Sequence, residues 1–418
     1  MTTVAEIDDG HSNAAAAAKR IVLFVNLAHA LDHFVLLIYP TAVIALARES
    51  SLDYGALISL STGAFVAFGL FSLPVGFIAN RAGRRNMIAI YFFGIAFACA
   101  GMATAASNSA FAIWLFILGV FAAVYHPVGS AMIVANAPAN RLGRTLGVNG
   151  VWGNLGAASA PIVTGSLAYE FGWRAGFVGP AIVSAIAGLA FLLLVPDGDA
   201  GSAGRRTAKA EGLPRGHLYL LAAAFAAAVA SGGATFNILS VALPKVIDER
   251  LGLPLPLQLI GSLATIVFIF GALTQLNVGR IVERQPLPRL LTIISVFQPL
   301  GFLIASVSTG VPLLIGLLFT VAAIYGNVVV VDAMVARYIP DEWRSRAFGL
   351  RYFLGFAASG FAVPLIGWTH NIGGFPLVLA IGGFFGLCLF ASALLIWRIM
   401  GRGGGELLSA HLSESIAR

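Results

Sequence analysis

The chain reads as an all-α membrane protein of twelve transmembrane helices arranged as two six-helix pseudo-repeat bundles. Hydrophobic residues make up 59% of its 418 positions and charged residues only 10%, far from the balance of a soluble globular protein. Its apolar runs are repeatedly long enough to cross a bilayer, and its basic residues alternate sides along the chain. Segments also recur at a nearly constant offset between the two halves.

Charges and turn residues fence the spans at roughly 20–47, 55–80, 86–106, 110–136, 144–168, 174–195, 217–246, 257–279, 288–306, 311–336, 346–369 and 374–398. Two charge-free runs, 86–140 and 290–331, are too long for one crossing and divide at Ser107-Asn108-Ser109 and at Ser308-Thr309-Gly310-Val311-Pro312. Of the 25 Lys and Arg, all but Arg48, Arg174, Lys245, Arg250 and Arg351 fall on one side, which the positive-inside rule makes cytoplasmic, both termini included. The net charge of +7 is therefore a topology signal facing anionic lipid. With no aromatic-interleaved basic cluster, no nucleic-acid partner is expected. Cys99 and Cys388 lie in apolar helix without CxxC spacing, as small packing residues.

The domain plan is a cytoplasmic tail (1–19), a first bundle (20–196), a cytoplasmic linker (197–216), a second bundle (217–399) and a second cytoplasmic tail (400–418). The linker is rich in Gly, Arg and Ala without apolar periodicity. The first apolar stretch is too long for a signal-peptide core and is expected to stay as an uncleaved helix. Pro40 pairs with Pro244 (204 apart), Gly76-x-x-x-Asn80-Arg81 with Gly279-x-x-x-Glu283-Arg284 (203), Val124-Tyr125 with Ile324-Tyr325 (200), and Arg144-Thr145-Leu146-Gly147-Val148 with Arg346-Ala347-Phe348-Gly349-Leu350 (202). Six-helix repeats of one orientation are the plan of a transporter that rocks two bundles about a midplane site.

Ionisable groups inside such spans mark a pathway. Asn26, His29 and His33 fall at i, i+3 and i+7, one polar stripe on the first helix, with Asp32 at its edge. Asp32, His33, His29 and, in span 4, His126 are the proton-coupling candidates; an Asp32–His29 or Asp32–His33 pair that only fixes packing is the structural alternative. Pro127 frees a backbone carbonyl one turn before His126. Arg351, inside span 11, either snorkels toward the interface, anchors an anionic substrate group or balances Asp32. Asn26, Tyr125, Asn149, Trp152, Asn154, Asn237, Tyr325, Asn327 and Arg351 are the substrate-binding candidates, with Ser240 beside them, offering hydrogen bonds and stacking to a small polar or amphipathic molecule.

Gly76-Phe77-Ile78-Ala79-Asn80-Arg81-Ala82-Gly83-Arg84-Arg85 resembles the loop signature G-x-x-x-D-R-x-G-R-R of the major facilitator superfamily, with Asn80 for the usual Asp. The resemblance covers the whole chain. It implies a conformational latch of Gly76, Asn80, Arg81, Gly83, Arg84 and Arg85, weakened by the uncharged Asn80, with Glu283 and Arg284 in the second copy and Asp332 as a partner for Arg284. Gly156-x-x-x-Ala160-Pro161-x-x-x-Gly165 resembles the antiporter motif of that superfamily's drug exporters, and the same small residues also suit tight helix packing. Tyr125-His126-Pro127 with Gly153-Asn154-Leu155-Gly156 is similar to the fosmidomycin-resistance branch, although Val128 and His33 stand where that branch carries Glu and Asp.

The resemblance implies a secondary transporter of the inner (plasma) membrane, monomeric, exchanging a small molecule for protons in the direction of efflux, with drug resistance as one outcome. A proton symporter importing a small anionic metabolite and a transport-inactive sensor or assembly protein are the rival readings. There is no G-x-x-x-x-G-K-[ST], so ATP is not the expected energy source, and no spacing suggests a metal or cofactor. No loop is long enough for a soluble enzyme domain.

Overall fold

The computed structural model describes residues 4–138, 141–196, 218–339 and 341–416, a few side chains within these ranges excepted. Thirteen helices follow one another in these residues: α1 (Val4–Glu49), α2 (Tyr54–Ser59), α3 (Thr62–Ala82), α4 (Arg84–Thr104), α5 (Asn108–Ala122), α6 (Tyr125–Asn136), α7 (Leu142–Phe171), α8 (Ala175–Leu194), α9 (Leu218–Arg250), α10 (Leu257–Ile281), α11 (Leu287–Val307), α12 (Gly310–Tyr338) and α13 (Asp341–Ile416). The expected linker, the side chain of Asn80 and the side chains of 1–14 and 402–418 in the two tails lie outside the described residues, as does that of Arg346.

Ten helical stretches among the described residues are long and apolar enough to cross a membrane. One of them, Phe353–Gly401, is 49 residues long. At about 1.5 Å per residue it exceeds twice the bilayer core, and it breaks at Gly373 and Gly374, the latter at φ 61°. It therefore holds two crossings. The 30-residue α7 has the length of a span but is diluted by Asn149, Asn154 and small residues, which is why hydropathy alone passes it over. Together these account for the twelve expected crossings. Helix ends fall where turn chemistry places them: Ser107 caps α5 by accepting from Ala110 N, and Asp53 caps α2 by accepting from Ala56 N at 2.7 Å.

The chain forms two compact units. The first comprises Met1–Arg206 with Val241–Glu249 and Leu253–Ile269; the second comprises Thr207–Ser240, Arg250–Gly252 and Phe270–Arg418. The outer part of α9 and the first half of α10 thus group with the first unit. Small residues explain the close packing there: a Cβ on Gly261 would lie 2.2 Å from the Pro161 carbonyl oxygen, one on Gly165 would lie 2.7 Å from that of Leu257, and Thr265 donates to Ala158 O. On another side of α7, a Cβ on Gly156 would stand 1.9 Å from the Ala30 carbonyl oxygen of α1. The antiporter-like stripe Gly156, Ala160, Pro161 and Gly165 is thus a packing surface within this unit. Outward faces carry Phe77, Phe171, Ile186 and Leu193, all exposed, as helices bathed in lipid require.

In the first unit span 4 is split into α5 and α6 just ahead of Pro127, which has no N–H to give Ala123. Span 2 is likewise split into α2 and α3 at Leu60–Ser61. Gly83, at φ 82°, makes the sharp turn from α3 to α4 that a side chain would strain. Arg85, two residues on, donates from Nε to Val195 O and from its guanidinium to Leu192 O, each at 2.7 Å, closing the C-terminus of α8.

Gly156→Ala is expected to lower the melting temperature of the detergent-solubilised protein, at a cost of about 1–3 kcal/mol for overpacking against Ala30. Gly76→Ala, where an added Cβ meets nothing within 4 Å, is expected to leave it unchanged. Thermal unfolding of the two variants side by side checks the pair; equal melting temperatures would contradict the packing account.

Candidate functional site

The inward face of α1 collects the polar groups of the first unit. Asp32 is wholly buried, Asn26 is 5% exposed, and His29 and His33 keep part of their surface open. Asn149 on α7 ties the group together: its Nδ2 donates to Asn26 Oδ1 at 3.0 Å, its side chain pairs with the Tyr125 hydroxyl, and its backbone carbonyl lies 2.7 Å from His29 Nδ1. A carbonyl only accepts, so that nitrogen of His29 carries the proton. The Tyr125 ring stacks on His29 with centroids 4.7 Å apart at 22°. Tyr91 donates to Ala28 O at 2.9 Å and holds this turn of α1 from the other side.

His126, first-turn neighbour of Tyr125 on α6, turns its Nε2 to Asp32 Oδ2 at 3.4 Å. Asp32 therefore faces His126 rather than forming the alternative pair with His29 or His33, because α6 packs against α1. Neither Asp32 oxygen has a hydrogen-bond partner among the described residues. The rings of His29, His33 and His126 lie mutually 5.0–5.6 Å apart by centroids, and one nitrogen from each falls within 4.8 Å of the others. Spacing along the chain gives no metal-ligating pattern, since His126 is remote from the other two; the fold supplies the third member. Gly153 makes room for this arrangement, because a Cβ there would stand 2.6 Å from His29 Nε2.

The second unit carries a separate polar chain. Gln298 on α11 donates from Nε2 to Thr235 Oγ1 on α9, and its Oε1 accepts from Asn327 Nδ2 on α12 at 3.0 Å. All three are buried. Gln298 and Thr235 are additions to the expected set, and the signal that reveals Gln298 is a lone amide in the otherwise apolar α11. Asn237 donates to Gly233 O on its own helix, Ser240 is buried, and Tyr325 is buried with its ring 6.0 Å from Phe236. Trp152 and Asn154 stand half-buried on α7.

Arg351 on α13 forms an ion pair with Asp332 of α12, Nε to Oδ1 at 2.7 Å. This corrects one expectation, since Asp332 is the partner of Arg351 and not of Arg284; among the alternatives left open for Arg351, its charge is met within its own unit and not by Asp32. Glu283 and Arg284 are exposed, as is Arg81, while Arg84 and Arg85 are half-buried. The basic motif residue with the best-defined job is Arg85, whose partners are helix carbonyls.

A sequence profile of the Major Facilitator Superfamily matches residues 22–331. A solved structure of a D-xylose-proton symporter superposes with a TM-score of 0.73 at 17% identity, covering 91% of this chain and 97% of that one. A bacterial homologue of the human lysosomal transporter Spinster, inward-facing and occupied, gives 0.75 at 14% identity over 91% of this chain and 96% of its own. At such identities these likenesses speak for the fold alone. The membrane sensor protein UhpC of Escherichia coli (strain K12) is 24% identical over 176 residues, 41% of this chain and 39% of that protein, so the match spans about two fifths of the curated relative's length.

Asn149→Leu is expected to destabilise the protein by about 1–3 kcal/mol, since it strands Asn26 Oδ1 and the Tyr125 hydroxyl in a dry interior while sparing the carbonyl that holds His29. Gln298→Leu is expected to cost a similar amount through Thr235 and Asn327. Denaturation in detergent measures both, and a neutral effect would mean that water solvates these networks.

Proposed function

We propose, from the premise that the chain belongs to the Major Facilitator Superfamily, that it moves a small molecule across the membrane by alternating access, in exchange for protons and in the direction of efflux. The observation that carries this reading is the Asp32 carboxylate, wholly buried in α1 with His126 Nε2 3.4 Å away, His126 in turn clustering with His29 and His33. An ionised group in a membrane helix is costly to maintain and is kept where an ion or substrate must bind. In this reading Asp32 and the three histidines couple the driving ion, and Asn26, Tyr125, Asn149, Trp152 and Asn154 contact the cargo together with Asn237, Tyr325, Asn327 and Arg351.

Protons as the driving ion draw support from the similar fold of a D-xylose-proton symporter. Efflux rests on the resemblance of the Tyr125-His126-Pro127 and Gly153–Gly156 segments to the fosmidomycin-resistance branch. In this reading the bundles 20–196 and 217–399 are the moving bodies of an inner-membrane monomer, and the positive-inside bias supports cytoplasmic termini. Two other readings have an observation each: symport, since the same similar fold is that of a D-xylose-proton symporter, and sensing, since the partial relative is a membrane sensor protein.

Proton movement in proteoliposomes, read by a pH-sensitive dye against a panel of antibiotics and organic anions, separates them. Exchange is expected, with protons moving against the substrate, and Asp32→Asn is expected to abolish it. Movement of protons with the substrate would replace efflux by import. A wild-type rate retained in Asp32→Asn would remove the carboxylate from coupling. In the same assay Asn80→Asp, which restores the latch charge, is expected to match or exceed the wild-type rate; a collapse would contradict a weakened latch.

A further inference from the structure

We infer that His29, His33 and His126 form a binding site for one divalent transition-metal cation of the zinc class. One nitrogen from each imidazole lies within 4.8 Å of the other two. In a tetrahedral site with metal–nitrogen bonds of about 2.0–2.1 Å, such atoms stand about 3.4 Å apart, so the three rings need only small side-chain rotations to close on an ion. His33 and His126 are half-buried, so each ring keeps part of its surface exposed.

The surroundings of the rings suit a cation more than a packed aromatic stack. A metal-ligating histidine usually donates its second ring N–H to a carbonyl or carboxylate, which fixes the ring and leaves the other nitrogen's lone pair for the ion. His29 already does so: Nδ1 donates to Asn149 O, and Nε2 keeps its lone pair. The Asp32 carboxyl stands beside the cluster, its Oδ2 3.4 Å from His126 Nε2 and neither oxygen hydrogen-bonded among the described residues, and a bound cation would favour its ionised form. A divalent cation bound by three neutral imidazoles would compensate that buried carboxylate. Imidazole nitrogens with a nearby carboxylate favour zinc, cobalt, nickel and copper over magnesium, calcium and the alkali ions. Two of the ligands sit on α1 and the third on α6, so a bound ion would clamp these helices together whatever cargo the transporter moves.

The test uses the full chain without a histidine tag, in detergent and stripped with a chelator. Titration with Co2+ is expected to show one equivalent bound per chain with the visible ligand-field bands of a four-coordinate ion, Zn2+ is expected to displace it, and added Zn2+ is expected to raise the melting temperature. His33→Ala and His126→Ala should each weaken binding at least about tenfold, while His370→Ala, a histidine on α13 in the other unit, should leave it unchanged. Gly153→Ala keeps all three histidines yet sets a methyl 2.6 Å from His29 Nε2, so it too should weaken binding; metal-free unfolding and gel filtration confirm that each variant is folded. Absence of stoichiometric binding in the wild type, or binding that survives both His33→Ala and His126→Ala, would overturn the site. A wild type that transports but binds no metal would overturn this inference alone and leave the transport reading standing.

Discussion

A membrane interior offers no hydrogen bonds, so every polar group on these helices must find its partner inside the protein. Helix ends feel this most, since their last carbonyls have no partner within the helix. Four arginines answer it directly: Arg85 closes α8, Arg174 reaches Ala105 O after α4, Arg250 donates to Ser306 O and Ser308 O after α11, and Arg337 donates to Val282 O after α10. The guanidinium suits this task because its several N–H groups can cap two carbonyls at once. Hydroxyls such as those of Thr104, Ser262 and Thr369 are quieted by their own helices.

The same constraint makes the polar cluster of the first unit informative. Asn26, Asn149 and Tyr125 satisfy one another, and an interior that needed only packing would carry apolar residues there at lower cost. The Asn149 carbonyl fixes the His29 ring, and the missing side chain at Gly153 leaves space for it, so one segment of α7 both orients and accommodates a single residue of α1. The neighbouring Gly156 then draws α1 and α7 into backbone contact. Position and strength of the site are therefore set by α7, the span with the weakest apolar signal.

Most of the architecture was legible because span length and charge sidedness are direct consequences of the bilayer. The breaks at Ser107–Ser109 and Ser308–Pro312 fall at the observed helix ends, and Pro127 announces the interruption between α5 and α6. Partners between helices were not legible. Nothing in spacing says that Asp332 meets Arg351 instead of Arg284, that His126 and not a neighbour on α1 faces Asp32, or that Gln298 joins Thr235 to Asn327. Each of these depends on helix rotation and on the height at which two helices cross, which a periodic pattern leaves free.

The repeat itself explains why the ionisable cluster sits in only one unit. The offset of 204 that relates Pro40 to Pro244 carries His29 to Gly233, and the offset of 202 that relates Arg144 to Arg346 carries Gly153 to Gly355. The same pair of positions meets in both units: His29 rests on Gly153, and a Cβ on Gly233 would fall 2.9 Å from Gly355. Where the first unit holds an imidazole, the second brings backbone against backbone and leaves no space for one. Asp32 likewise maps to Phe236, and His33 to the amide Asn237. Arg351 occupies the position equivalent to Asn149, and its charge is met by Asp332 within the same unit. One repeated helix frame thus carries two sets of side chains: a carboxylate with three imidazoles in one unit, and neutral amides with a self-compensated ion pair in the other. The packing positions are shared between the repeats, and the residues set between them give one unit buried ionisable groups where the other carries amides and apolar side chains.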